Sequence, residues 1–203
     1  MQGLRIVIPA AGASSRMRGG DKLLEQVEAM PLLRRQAMLA LGLCADVVVT
    51  LRPSDVARHA VLRGLKLQIA WVVQASEGMA ASIRAGSLGA SGSVMILPAD
   101  MPELDHSDLQ TLTQAFAAAP QAIWRGASAG GLAGHPVIFP ADLVGQLQEI
   151  LGDAGARAVL GANANRIRLC PLAAEHALTD LDTPEDWAAW RAKAKPSAAK
   201  ATP

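Results

Sequence analysis

The stretch from Ala10 to Lys22 holds the densest set of chemically useful residues. Ala10, Ala11, Gly12, Ala13, Ser14 and Ser15 are all small, and Arg16, Arg18 and Lys22 follow them. Small side chains let a backbone approach a phosphate chain and leave N–H groups free to point at it. An arginine fork and a lysine point charge suit the spread negative charge of a triphosphate. The same composition also describes a surface loop whose cations are merely solvated. Two phosphate loops are excluded by spacing. Lys22 is followed by Leu23, so there is no Gly-x-x-x-x-Gly-Lys-[Ser/Thr], and Gly12 has no partners at Gly-x-Gly-x-x-Gly spacing.

Two acidic stretches come next. In Leu97-Pro98-Ala99-Asp100-Met101-Pro102 a carboxylate ends an apolar run. Such a group can hold Mg²⁺ between protein and substrate phosphates, or serve as a turn or helix cap. In Thr179-Asp180-Leu181-Asp182-Thr183-Pro184, Asp182 has the position of a helix N-cap two residues before proline. The alternative is a second metal-facing carboxylate, and in an extended chain Asp180 and Asp182 point the same way. Glu77-Gly78-Met79-Ala80-Ala81-Ser82 opens a helix with small residues. A base or ribose could lie against Gly78 and Ser82, or the helix packs tightly on a sheet. His135, in Gly134-His135-Pro136, follows a Gly-rich loop and is the histidine with a pocket-like setting. A lone histidine is also commonly structural. His59, His106 and His176 stand in polar stretches.

The elements that must position these residues follow from periodicity. Short β-branched runs at 4–9, 45–51, 67–73 and 93–98 read as buried strands. Helical stretches at 31–43, 54–63, 79–88 and 107–118 separate or follow them, with Asp105 or Ser107 as a cap for the fourth. Beyond Pro120 strands are expected at 122–127, 136–139 and 166–171. Helices are expected at 143–151, 154–160 and 184–193, the last capped by Asp182 or Thr183. Alternating strands and helices predict an α/β fold: a Rossmann-like three-layer α/β/α sandwich on a mostly parallel sheet. In such sheets ligands bind beyond the carboxyl ends of the strands, near the switch in strand order. That points to the loops after the first and fourth strands. One domain is expected over 1–190, with 191–203 a frayed tail of Ala, Lys, Pro, Ser and Thr.

Composition narrows the function classes. Of 203 residues, 51% are hydrophobic and 18% charged, which excludes disorder over the whole length. The net charge of +1 and an aromatic content of 3% give neither a basic field nor a stacking platform for nucleic acid. Cys44 and Cys170 make no disulfide framework or metal cluster and read as buried small apolar residues. No run reaches the ~18 apolar residues of a membrane span. The first apolar run contains Arg5 and leads into the Gly/Ser/Arg loop, unlike a signal peptide, so a reduced cytoplasmic setting is expected.

Taken together the motifs resemble the molybdenum-cofactor nucleotidyltransferases, MobA-like members of the nucleoside-triphosphate transferase superfamily. The stretch AAGASSRMRGGDKLL resembles that family's Leu-Ala-Ala-Gly-x-Ser-x-Arg-Met-Gly-x-x-Lys signature. The likeness continues through EGMAASIRAG, LPADMPEL, GHPVIFP, GDAGAR and DLDTPEDW, over about residues 4 to 190. It departs at Pro9, where the family has Leu, and at Arg18, an insertion that lengthens the loop before Lys22 by one residue.

The resemblance implies a nucleotide-diphospho-sugar-transferase type of fold and a Mg²⁺-dependent nucleotidyltransferase. It implies that Ala10, Ala11, Gly12, Ser14, Gly78 and Ser82 bind the nucleotide, and that Arg16 and Lys22 bind its triphosphate. Asp100 and Asp182 would hold Mg²⁺, with Arg16, Lys22 and Asp100 catalytic, and His135, Asp153 and Arg157 would face the acceptor. Ala-Ala-Gly at the turn and Gly-His-Pro later resemble the cytosine branch, which implies CTP, a phosphorylated pterin acceptor loaded with molybdenum, and a molybdenum hydroxylase that receives the product. Two alternatives stand beside this: transfer from GTP or to another phosphorylated acceptor, and a non-catalytic nucleotide-binding module.

Overall fold

The structure is a computed structural model, and it describes residues 3–74, 78–152 and 155–194. Nine strands are described: β1 Leu4–Pro9, β2 Gln26–Val27, β3 Met30–Pro31, β4 Val47–Leu51, β5 Gln68–Trp71, β6 Ser93–Ile96, β7 Ile123–Ala127, β8 Ala133–Phe139 and β9 Ile167–Pro171. The helices are α1 Leu32–Leu41, α2 Val56–Val61, α3 Met79–Ser87, α4 His106–Ala118, α5 Val144–Glu149, α6 Arg157–Ala162 and α7 Pro184–Ala194.

Seven strands form one sheet in the order β5-β4-β1-β6-β8-β7-β9. β5, β4, β1 and β6 run parallel, β8 runs antiparallel between β6 and β7, and β7 and β9 are again parallel. The mostly parallel α/β sandwich expected from the sequence is therefore present. β1, β4 and β6 are mostly buried β-branched runs, which suit a sheet covered on both faces. β5, expected to be buried, is the edge strand, with Gln68 and Trp71 exposed and Ile69 and Ala70 half-buried. Along β1, Ile6 and Ile8 enter one core with α1 and α4, while Val7 enters the other with α3, α5 and α6. Period-two alternation thus divides one strand between two hydrophobic layers.

β1 lies between β4 and β6, whose connections leave in opposite directions across the sheet, so a crevice opens beyond its carboxyl end. The loops after β1 and β6 meet there. α3 is brought close to β1 by Gly86, where a side-chain carbon would fall 2.3 Å from Val7 Cγ1. The last described helix also reaches this crevice. Trp187 of α7 is buried with Met17, Val27, Leu32 and Leu181, beneath the loop that follows β1. Arg191, assigned to the tail by composition, is helical and pairs with Glu25 at 2.6 Å. Residues 195–203 lie outside the described residues.

Replacing Gly86 by Ala should destabilise the fold by about 1–3 kcal/mol through overpacking. Urea denaturation should show the loss, and a second substitution, Val7→Ala, should recover part of it.

Candidate active site

The loop after β1 is shaped by a buried cation. Arg58 of α2 is only 2% exposed. Its Nη1 donates to the carbonyls of Ala10 and Gly12, both at 2.7 Å. Its Nη2 donates to Ser14 Oγ at 3.0 Å and Asp21 Oδ1 at 2.8 Å, and its Nε to Asp21 Oδ2 at 2.7 Å. One guanidinium fork therefore draws the loop's acceptors to its inner side. Among the described residues, the N–H groups of Gly12, Ala13 and Ser14 donate to nothing. A side chain at Gly12 would meet nothing within 4 Å, so its face of the loop stands open. Ser14 and Arg18 adopt left-handed backbone at φ 49° and 51°. Each costs about 1–3 kcal/mol and persists where surrounding contacts enforce it. Arg18 and Gly19 both take positive φ, and Asp21 then caps the single turn Lys22–Leu24 by accepting from Leu23 N–H. Burial alone would raise the Asp21 carboxyl, but Arg58 outweighs it and holds the group below its ordinary pKa.

This geometry aims Lys22 across the crevice. Its Nζ lies 2.5 Å from Asp100 Oδ2 and 2.6 Å from Asp182 Oδ1. Arg16 Nη1 meets the other oxygen of Asp182 at 2.7 Å. Burial by itself would lower the Lys22 ammonium, yet Asp100 and Asp182 raise it above its ordinary value, so it stays charged. Asp180 is pushed up by partial burial and by the neighbouring Asp100 and Asp182 carboxylates.

Asp182 is not the helix cap. Thr183 accepts from Asp186 N–H through Oγ1 at 3.1 Å, and Asp186 in turn accepts from Thr183 N–H at 2.9 Å. That reciprocal pair is a capping box and leaves the Asp182 carboxylate free for the crevice. Leu181 N–H donates to the Asp100 carbonyl at 3.3 Å, which ties the two acidic segments together. Upstream, His135 N–H donates to the Ala177 carbonyl at 2.9 Å, and a side chain at Gly134 would fall 2.0 Å from that oxygen.

The residues proposed from sequence gather in two joined clefts. Ala10, Ala11, Gly12, Ser14, Arg16, Lys22, Gly78, Ser82, Asp100 and Asp182 all line a pocket of about 350 Å³. A second cleft of about 870 Å³ shares Arg16, Lys22, Asp100 and Asp182 and is further lined by His135, Arg157, Arg125 and Asp180. Asp153 and Glu77 lie outside the described residues. Ala11, at the edge of the smaller pocket, is itself buried and packs with Val72 and Ala81. His135 is depressed below 6.5 by burial, then by Arg125, with Asp100 acting in the opposite sense. Its Nδ1 is sealed from water with no partner among the described residues.

Sequence reasoning missed three contributors. Arg58 carries no signal, since an arginine on a short helix reads as solvated. Asp21 was hidden beside the more conspicuous lysine. Arg125 had a signal, a charge inside the apolar run of β7. A further acidic group, Asp105, Asp108 and His176, has ligand-type atoms within 4.8 Å of one another. Asp105 and Asp108 form the capping box of α4, and His176 Nδ1 meets Asp108 Oδ2 at 2.7 Å. These groups hold the segment before Asp180 onto α4. Cys44 and Cys170 are free and buried, as expected.

Residues 6–167 match the MobA-like NTP transferase domain. The chain belongs to that family. Among curated proteins, a molybdenum cofactor guanylyltransferase of Pseudomonas paraeruginosa is 30% identical over 184 residues, spanning 89% of this chain and 90% of the relative. Among solved structures, Rv0371c from Mycobacterium tuberculosis superposes with a TM-score of 0.78 at 23% identity, covering 93% of this chain and 97% of that one. A manganese complex of Rv0371c gives 0.72 at 20% identity over 93% and 97%. At these identities the structures establish the fold. Membership of the MobA-like family makes this chain a nucleotidyltransferase. No described helix is long and apolar enough to cross a membrane.

Arg58→Ala should cost about 3 kcal/mol, because Asp21 and two carbonyls lose a buried partner. Nucleotide affinity should fall as well, and Arg58→Lys should not restore it, since an ammonium cannot span the same acceptors. Calorimetric titration with nucleotide alongside denaturation would check both. For His135, the folded pKa lies below the unfolded one, so the unfolded chain takes the proton first as pH falls. Its burial therefore subtracts stability below about pH 6.5 and nothing above it. An NMR titration should give a midpoint under 6.5.

Proposed function

We propose that this protein transfers a nucleoside monophosphate from CTP to the phosphate of a molybdenum-loaded pterin and releases pyrophosphate. One observation carries the reading: Lys22 lies within 2.6 Å of both Asp100 and Asp182 where the two clefts join. A single cation between two carboxylates at the meeting of a nucleotide-sized pocket and a larger cleft suits transfer from one to the other.

The nucleotide would lie against the open N–H groups of Gly12, Ala13 and Ser14 and against the start of α3 at Gly78 and Ser82. An acceptor phosphate oxygen forms a bond to the α-phosphorus in line, and the bridging bond to the β-phosphate breaks. The acceptor is already ionised near pH 7, so no general base is required. Arg16 and Lys22 hold the β- and γ-phosphates and offset the charge that collects on pyrophosphate. Oxygen donors that already embrace an ammonium suit a hard divalent cation, and Asp100 and Asp182 would hold Mg²⁺, with Asp180 beside them. Bound there, Mg²⁺ supplies charge neutralisation and orientation at the α-phosphate. His135 and Arg157 face the acceptor, as would Asp153. A molybdenum hydroxylase would receive the product, and the setting would be cytoplasmic.

CTP is favoured by Ala10-Ala11-Gly12 and Gly134-His135-Pro136. GTP is the second reading, favoured by curated relatives that are named guanylyltransferases. Pyrophosphate release with CTP, GTP, ATP and UTP, each with and without molybdenum-loaded molybdopterin, separates the two. Release with CTP and acceptor together is expected. Release with GTP alone among the nucleotides would replace the base and keep the mechanism. Nucleotide binding with no release would leave a binding module. Lys22→Ala should lower turnover by about 10²-fold or more, the scale of losing one transition-state donor. Asp100→Ala should remove Mg²⁺-dependent turnover with the fold intact by circular dichroism.

A further inference from the structure

The larger cleft contains a cation that no side chain answers. Arg125 stands on β7 beside Val137 of β8 and Leu169 of β9, half-buried against the apolar wall of the cleft. Its only described contacts are two long hydrogen bonds, Nε at 3.4 Å and Nη2 at 3.3 Å, to the single carbonyl of Gly134. Among the described residues no carboxylate pairs with it. Arg5, Arg52, Arg58 and Arg166 are also partly or fully buried, and each holds a carboxylate within 3.0 Å. A guanidinium drawn from water without a counter-charge is costly, and its remaining N–H groups keep a planar fork unspent. Burial also lowers the Arg125 pKa.

The surroundings say which ligand would answer it. Lys22 and Arg16 are already matched to Asp100 and Asp182, whereas Arg157, exposed at the start of α6 on the rim of the same cleft, has no carboxylate partner among the described residues. Arg125, Arg157 and His135 line this one cleft. Val137, Phe139 and Leu160 supply apolar lining to the same cleft. Two unanswered cations over an apolar wall fit an oxyanion carried by a largely apolar body.

We propose that Arg125, assisted by Arg157, is the anion anchor of the acceptor cleft and holds a phosphate group of the acceptor. The proposal rests on the transferase reading only for the identity of the acceptor, since the oxyanion subsite exists whichever base is transferred. Arg125 binds and orients and takes no part in bond making.

The test is built so that failure of transfer and failure of the subsite are separable. The full chain is first saturated with a non-hydrolysable nucleotide analogue and Mg²⁺, which fills the other anion pocket. Inorganic phosphate is then titrated by calorimetry. Wild type should bind it, and Arg125→Met should weaken it by about 10- to 100-fold, the scale of a charge-assisted pair. Affinity for the analogue should be unchanged. Arg125→Lys, which keeps the charge, should recover part of the phosphate binding and serves if the methionine variant folds poorly. In turnover assays the acceptor KM should rise by a similar factor, with the nucleotide KM and kcat at saturating acceptor little moved. Three outcomes would overturn the proposal: no phosphate binding by nucleotide-loaded wild type, equal binding by both Arg125 variants, or a loss of nucleotide affinity in place of phosphate affinity. Absence of transfer with phosphate binding intact would reject the acceptor's identity and leave the subsite standing.

Discussion

The crevice depends on a guanidinium that has been taken out of water. Burying Arg58 requires that its donors be met, and the structure meets them with the backbone of the loop it supports. The requirement runs both ways. Because the carbonyls of Ala10 and Gly12 turn inward to the cation, the neighbouring N–H groups turn outward to the crevice. Because Asp21 is held on two sides, the residue after it leaves the loop in one direction only. Loop curvature, left-handed residues and the aim of Lys22 are consequences of one ion pair set behind them.

A second balance operates at the front. Asp100 and Asp182 come from segments 82 residues apart and would repel one another without Lys22 between them. The lysine therefore has two partners to choose from when a nucleotide arrives: the carboxylates it holds now and the phosphates it would face. Exchange between them needs only rotation about a flexible stem, since the loop itself is anchored from behind. The same crevice is closed from below by α7, whose Trp187 seals the underside of the loop and whose Arg191 reaches Glu25. The apolar residues of the last helix thus serve the site by packing.

How much of this was legible in the sequence depended on how local the cause was. The positions of the four parallel strands were legible from their apolar runs, and their ends fell within a few residues; burial on both faces holds for β1, β4 and β6 but not for β5, which the strand order puts at the sheet edge. The hairpin of β2 and β3 was not, because two-residue strands joined through Glu28 and Ala29 at positive φ show neither an apolar run nor a glycine turn. β8 begins three residues earlier than its apolar run, since Ala133 and Gly134 pair through backbone alone. Its antiparallel place between β6 and β7 is a non-local choice. The cap of α7 was legible in Thr183-Pro184-Glu185-Asp186, where threonine and a carboxylate stand at capping-box spacing, and reading it would have released Asp182 for the crevice. The residues that line the smaller pocket were singled out because their types follow from the chemistry of phosphate binding. Arg58 was not, because a buried cation is marked by what surrounds it in space, and Arg125 was passed over although its charge interrupts an apolar run.

The order in which the pieces occur along the chain has a consequence for how the protein comes into being. The loop, its buried cation and the first carboxylate all lie within the first hundred residues, but the second carboxylate and the helix beneath the loop come after residue 180. A domain generally folds as a unit. Until the last of these segments is made, Lys22 lacks one of its two partners and the loop lacks its packing from below. A chain cut short before residue 180 would therefore lack half of the acidic pair and the cover beneath the loop, so the two ends of the sequence are needed together.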